Sequence, residues 1–372
     1  MSKINRKKFL QSAAALTAGS VLLPGCNPRD DQKTNQGPAI ITNKKFRWYM
    51  VTTWPPNFPI IGTSCQLFAK KVFEMSGGQL EIKVYGADEL IPALEVFEAV
   101  SSGTAQAGHG AAYYWTGKVP AAQFFTTVPF GLNAMEQTAW INHGGGIELW
   151  RKIYERFNLR PYISGNTGIQ MGGWFNKEIN SINDFQSLKM RIPGLAGRIL
   201  KEVGATPVLV AGGEIYTNLE RGVIDAIEWL GPFHDQLMGF HDIADYYYTP
   251  GWHEPGSSLE LIVHQEAYDE LPVHLQQIVD VCAGYNNDWM MSEMFFKNAK
   301  ALEELNANTD IEIRNFSPET LASLKEATND TLDSMATKDS EIQEVYSSFK
   351  NFKKMIRTYS GVSEKLYYTL LQ

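Results

Sequence analysis

The chain has 372 residues and a formal net charge of −8. That acidic balance argues against a nucleic-acid partner, whose phosphates would repel it. A hydrophobic fraction of 44%, with 31 glycines and 17 prolines, suits a globular α/β protein.

The first residues read as an export signal. Lys3, Arg6, Lys7 and Lys8 form a cationic head, and Phe9 to Leu23 is apolar. That run is too short for a membrane span, which needs roughly 20 residues. Leu23-Pro24-Gly25-Cys26 closes it and is similar to a bacterial lipoprotein cleavage site, so residues 1–26 are expected to be a signal and Cys26 the lipid-modified residue. Arg6-Lys7-Lys8-Phe9-Leu10 is also similar to a twin-arginine signal, with Lys for the second Arg. Residues 27–45 are polar and read as a flexible tether. Besides Cys26 there are Cys65 and Cys282, which are read as buried free thiols.

About 330 residues remain, too many for one ordinary core, so two lobes are expected. Phe46 to Val51 reads as a strand, Gly62 to Met75 as a helix stopped by Ser76-Gly77-Gly78, and Leu80 to Tyr85 as a second strand. A helix from Pro92 to Val100 and a strand from Ala105 to Gly110 follow. This β-α-β-α-β order implies a parallel sheet, whose ligands sit beyond the carboxyl ends of its strands. Trp54, Gly86 and Tyr113 to Trp115 are then candidates for a cleft rim, while His109 is expected to be packed.

A second α/β block begins near Gly165, with Gly168 to Phe175 read as a strand. Ser187 to Gly194 is a short strand in which Met190 and Ile192 alternate with Lys189 and Arg191. Arg191 is the candidate to grip a carboxylate, because its rigid fork can make two parallel hydrogen bonds. Val208 to Val210 reads as a strand and Gly213 to Arg221 as a helix. Glu228 and Trp229 fall at the end of a strand, where a ligand would lie. Leu259 to Val263 is a strand, Asp269 to Asn298 one long helix or a pair, and Ser317-Pro318-Glu319 opens a last helical region running to about Tyr359. Leu321, Leu324, Leu332, Met335, Val345, Phe349 and Phe352 would give that region an apolar face.

Trp54-Pro55-Pro56, Met190 to Gly194, Gly222-Val223-Ile224-Asp225-Ala226 and Glu228 to Pro232 together resemble the substrate-binding proteins of TRAP (tripartite ATP-independent periplasmic) transporters. The resemblance runs from about Phe46 to the C-terminal helices. Asn166 to Phe175 and Pro250 to Gly256 resemble the subgroup that takes up 2-oxo or 2-hydroxy acids, such as pyruvate, 2-oxobutyrate or lactate, with a metal ion. The resemblance implies an α/β, two-lobe fold like that of periplasmic binding proteins, with a cleft and extra C-terminal helices. The lobes are expected at 46–166 with 255–300, and at 167–254 with 301–317, leaving 318–372 as the extension. It further implies substrate contacts from Arg191, Gln170 and Trp229, and metal ligation by Gln170, Glu228, Trp229 and Glu254; Asn166, as a polar donor, and Tyr113, from the cleft rim, join them as candidate substrate contacts. Two carboxylates facing an anionic ligand need a cation between them, and sodium and calcium both remain open. The expected partners are a small carboxylate, TRAP permease subunits, a membrane reached through the lipid alone, and a second copy in a homodimer. The expected place is the periplasm. A metal-dependent lyase or aldolase acting on 2-oxo acids is the alternative, but no nucleophile with a placed base and no dinucleotide fingerprint is present to favour an enzyme.

Overall fold

The computed structural model describes residues 44–308 and 311–371. The expected signal with Cys26, and the tether up to residue 43, lie outside them. The strands are β1 (Phe46–Thr52), β2 (Leu80–Tyr85), β3 (Ala107–Gly110), β4 (Leu159–Asn166), β5 (Gly173–Phe175), β6 (Lys189–Arg191), β7 (Thr206–Val208), β8 (Ala226–Ile227), β9 (Tyr246–Thr249), β10 (Ser258–His264) and β11 (Glu312–Asn315). They form two sheets, ordered β2-β1-β3-β10-β4 and β11-β9-β5-β8-β6-β7.

The first sheet follows from local pattern. In β1 the side chains alternate, with Phe46, Trp48 and Met50 buried and Arg47 and Tyr49 exposed. Helix α1 (Thr63–Met75) then crosses back, and Gly77 and Gly78, both at positive φ, turn the chain into β2. The β1–β2 and β1–β3 pairs are parallel, as the β-α-β-α-β order requires. Strand β10 comes from far along the chain and inserts antiparallel between β3 and β4.

In the second sheet β6 runs parallel to β7 and β8, and β5 runs antiparallel to β8 and β9. The expected strand Gly168–Phe175 is shorter than its sequence suggests: only Gly173–Phe175 joins the sheet. The reason is where its backbone bonds go. Gln170 N donates to Glu254 O at 3.1 Å and Met171 N to Leu230 O at 3.4 Å. These partners are loop carbonyls, so this segment stitches two loops together and joins no ladder. The expected Val208–Val210 strand likewise ends at Val208.

The long helix α2 spans Val273–Asn308. Ser317 caps the next helix, α3 (Pro318–Lys338), by accepting from Thr320 N at 3.1 Å. Helix α4 (Ser340–Ser360) opens on Asp339, which accepts from Glu341 N and Ile342 N, and α5 (Glu364–Leu370) ends the chain. The apolar face expected on this region is not free for a partner. Leu324, Leu332, Met335, Val345, Phe349 and Phe352 are buried within their own chain. Phe349 stands edge-on to Trp140 at 5.3 Å and Tyr346 lies 5.8 Å from Phe124, so the face covers an aromatic cluster of the first sheet's side. Cys65 and Cys282 are buried free thiols, as their reading from sequence holds.

One buried carboxyl sits in the middle of the first sheet. Glu260 of β10 accepts hydrogen bonds from Trp115 Nε1 and, at 3.0 Å, from the Tyr154 hydroxyl. Burial pushes its carboxyl from the ordinary 4.5 up to about 8. The stability contributed by its protonated form is fully present below 4.5 and is lost as pH rises through about 8. Glu260→Gln stays neutral, so its unfolding free energy should rise relative to wild type between about pH 5 and about pH 8. Urea unfolding at both pH values reads this difference, and an unchanged difference would refute it.

Candidate functional site

The site forms where the second sheet's parallel strands end. Arg191 closes β6 and pairs with Ile227 of β8. The ladder continues one residue further, with Glu228 N donating to Arg191 O at 3.1 Å. Adjacent parallel strands that stop together leave Arg191 and Glu228 side by side. Arg191 Nη1 donates to Glu228 Oε1 at 2.9 Å and to the Glu228 carbonyl at 2.8 Å. The expected strand face with two cations is divided: Lys189 is exposed, whereas Arg191 is 1% exposed. The arginine points inward because the strand's end, and not its middle, enters the cleft.

Two loops deliver the other groups. Gln170 Nε2 donates to Glu254 Oε2 at 2.7 Å and to Thr167 Oγ1 at 3.2 Å. Ser257 Oγ donates to the same Glu254 oxygen. Gly251 lets the loops meet: a Cβ there would lie 2.1 Å from Gln170 O. From the first sheet's side, Tyr113 faces Glu254 and Tyr114 faces Arg191. Gly194, at φ +60, lets the Arg191 strand approach Tyr113, since a Cβ would lie 3.0 Å from Tyr113 Cβ.

Trp229 is held on both faces. Its ring lies 5.2 Å from the Arg191 guanidinium and meets Phe58 edge-on at 6.1 Å. A Cβ at Gly212 would strike the ring at 2.5 Å.

Six of the sequence-predicted residues come together. Arg191, Glu228, Trp229, Gln170 and Glu254 converge, and Tyr113 covers Glu254. Asn166 is engaged otherwise: its Nδ2 donates to Ser258 Oγ at 3.2 Å and its Oδ1 accepts from Gly168 N at 2.9 Å. Those bonds fix the start of the loop that carries Gln170. Trp54 is buried beneath the rim, donating to His109 Nδ1 at 2.8 Å. His109 Nε2 then donates to Ser164 O at 3.1 Å, so this histidine is a packed one.

The electrostatics are unbalanced. Arg191, Glu228 and Glu254 are each 1% exposed, and one guanidinium faces two carboxyls. Burial and the neighbouring Glu254 drive the Glu228 carboxyl well above its ordinary range, with Arg191 pulling it back. Burial lifts Glu254 from 4.5 to about 7. Several buried polar atoms also have no partner: Glu228 Oε2, Gln170 Oε1, Arg191 Nε and both ring nitrogens of His253. Leaving such atoms unpaired in a protein interior is costly, and an ion, a ligand or a water would satisfy them.

A cation fits this set. Glu228, His253 and Glu254 each offer one ligand atom, all within 4.8 Å of one another. Gln170 Oε1 adds an unpaired oxygen, and Glu228 Oε2 is unpaired too; both are of the kind sodium or calcium takes. His253 is the residue that sequence reasoning left without a role. Its Nε2 lies 3.9 Å from Glu228 Oε2, and burial with the nearby Arg191 lowers its pKa to about 3, so the ring is neutral. Its position inside Trp252-His253-Glu254-Pro255 was the available signal.

Comparison with known proteins gives the family and the fold. Residues 50–339 match the family of bacterial extracellular solute-binding proteins, family 7. A relative from Nostoc sp., the monocarboxylate 2-oxoacid-binding periplasmic protein, is 39% identical over 98% of both chains. A TRAP periplasmic solute-binding protein from Pseudoalteromonas atlantica, solved with bound sodium and pyruvate, is 43% identical with a TM-score of 0.87, covering 88% of this chain and all of that one. Its counterpart from Colwellia psychrerythraea, solved with bound calcium and pyruvate, is 45% identical with a TM-score of 0.85, covering 87% of this chain and 99% of that one. The chain therefore belongs to family 7 of the bacterial extracellular solute-binding proteins, with the two-sheet α/β fold of the TRAP solute receptors.

Proposed function

We propose that this chain is an extracytoplasmic TRAP receptor that binds a small 2-oxo or 2-hydroxy monocarboxylate together with one sodium or calcium ion and delivers it to permease subunits. The observation that carries this reading is the convergence of Arg191 with two buried carboxyls and several unpartnered polar atoms at one set of strand ends. Arg191 retains an unpaired Nε for the ligand carboxylate. Glu228, Gln170, Glu254 and the Trp229 carbonyl would hold the cation, and Trp229 and Tyr113 would wall the pocket. Asn166 supports that set by anchoring the Gln170 loop. The cation would neutralise the carboxylates and accept an oxygen of the bound acid. With the acid bound, a monovalent ion leaves one negative charge uncompensated and a divalent ion leaves none, which favours calcium.

Binding is coupled to closure of two lobes, 46–166 with 255–300 and 167–254 with 301–317, about the segments that cross between them. Contacts split between the lobes make the closed form the one that binds. Residues 318–372 form the extension. The receptor reading stands above a lyase or aldolase, because the matched family and both solved neighbours are solute-binding proteins.

Calorimetric titration with pyruvate, 2-oxobutyrate and lactate, in sodium with chelator and again with calcium, should show saturable binding that needs one of the two cations. Arg191→Ala should cost about 2–5 kcal/mol of that affinity, and the bound form should scatter as a more compact particle. Failure of all three acids under both conditions would sink the reading.

Two finer points complete the proposal. Cys26 anchors the receptor by lipid at the periplasmic side of a membrane, so Cys26→Ser should move it from the membrane fraction to the soluble one on cell fractionation. A homodimer uses the end of the chain, where Met355, Tyr359, Leu366, Tyr367, Tyr368 and Leu370 are exposed. Sedimentation should show a dimer that Leu366→Glu with Leu370→Glu dissociates; a wild-type monomer at micromolar concentration would count against it.

A further inference from the structure

Asp235 is a buried carboxylate that the binding reading above does not use. It is 1% exposed, on the short helix Pro232–Leu237 that follows the Glu228 loop. Three donors saturate it. Its Oδ2 accepts from Trp174 Nε1 at 3.0 Å and from the Tyr247 hydroxyl at 2.7 Å. Its Oδ1 accepts from Leu230 N at 3.2 Å. Trp174 and Tyr247 belong to the neighbouring strands β5 and β9, and their rings stack at 4.0 Å. The carboxylate is thus braced on the middle of the second sheet and holds one loop amide.

That amide belongs to the peptide group whose other end is the Trp229 carbonyl. A trans peptide is planar, so its N–H and C=O point in opposite directions. Anchoring Leu230 N–H on Asp235 therefore aims the Trp229 carbonyl away from Asp235. The preceding peptide is fixed too, because Arg191 Nη1 binds the Glu228 carbonyl at 2.8 Å. The Trp229 backbone is clamped between a buried cation on one side and a buried carboxylate on the other. A negative charge behind an N–H also polarises the peptide and makes its oxygen a better donor.

We propose that Asp235 is a positioning residue for the cation site, orienting and polarising the Trp229 carbonyl through the Leu230 amide. This rests on the receptor reading, in which that carbonyl is a cation ligand. Asp235 itself touches neither ion nor acid.

The test is calorimetric titration of Ca²⁺ into wild type, Asp235→Asn and Tyr247→Phe without any organic acid, followed by pyruvate titration at limiting and at saturating Ca²⁺. Where wild type responds to sodium alone, sodium replaces calcium throughout. Asp235→Asn should weaken cation binding by about tenfold to a hundredfold. Its pyruvate affinity should return to within about twofold of wild type once the cation is saturating. General loosening of the fold would instead weaken pyruvate binding equally at every cation concentration, and that result would overturn the proposal. So would a folded Asp235→Asn with unchanged cation affinity. If Asp235→Asn does not fold, Tyr247→Phe, which removes one brace from the carboxylate, must weaken the cation by a smaller factor; no change there would also overturn it. Wild type that binds neither cation nor pyruvate would defeat the receptor reading itself, a result distinct from all of these.

Discussion

The arrangement depends on one constraint: Arg191 is buried against two carboxyls, Glu228 and Glu254, with no second fixed cation among the described residues that face them. A buried charge without a partner is costly, and a guanidinium can compensate only one carboxylate. The remainder has to be met by a proton or by an ion that arrives with the ligand. A site of this type is unsettled when empty and settled when filled, which is what a receptor needs. Burial lifts the Glu254 carboxyl above its ordinary range, because the interior resists a second negative charge.

The rest of the second sheet serves to hold that imbalance in place. Parallel strands β6 and β8 end in register, and this alone puts Arg191 beside Glu228. The Gln170 loop precedes β5 and bonds the carbonyls of Glu254 and Leu230, so one segment ties the Glu228 and Glu254 loops together. Close approaches at Gly194, Gly212 and Gly251 are where backbone or ring fills the space a side chain would need. Each lies next to a site residue, and each would be strained or blocked by a Cβ.

The C-terminal helices show contrasting uses of apolar surface. The face on α3 and α4 is consumed by the aromatic cluster around Phe124, Phe125, Trp140 and Trp150. Beyond it, α5 buries no residue and leaves its tyrosines and leucines exposed. A periodic apolar stripe says that a helix face will be covered. Whether the cover is the same chain or another depends on how far the body of the protein extends beneath it.

Much was legible from the sequence because it was local. The strand from Phe46, the glycines after Met75, the Ser317-Pro318 helix start and Glu228 at a strand end are short-range signals, and each stands in the structure as its pattern implied. The motif around Glu254 marked its loop, and the parallel β1–β2 and β1–β3 pairs followed from element order. What only the tertiary structure decided is non-local. The insertion of β10 between β3 and β4, the truncation of the Gly168–Phe175 strand and the ring nitrogens of His253 left without a hydrogen bond all depend on residues distant in the chain. So does Asp235, an unremarkable acid in sequence that acquires its place only when Trp174, Leu230 and Tyr247 fold around it. Periodicity and turn chemistry report on a few neighbouring residues, whereas a hydrogen bond across the fold leaves no mark on the spacing of either partner.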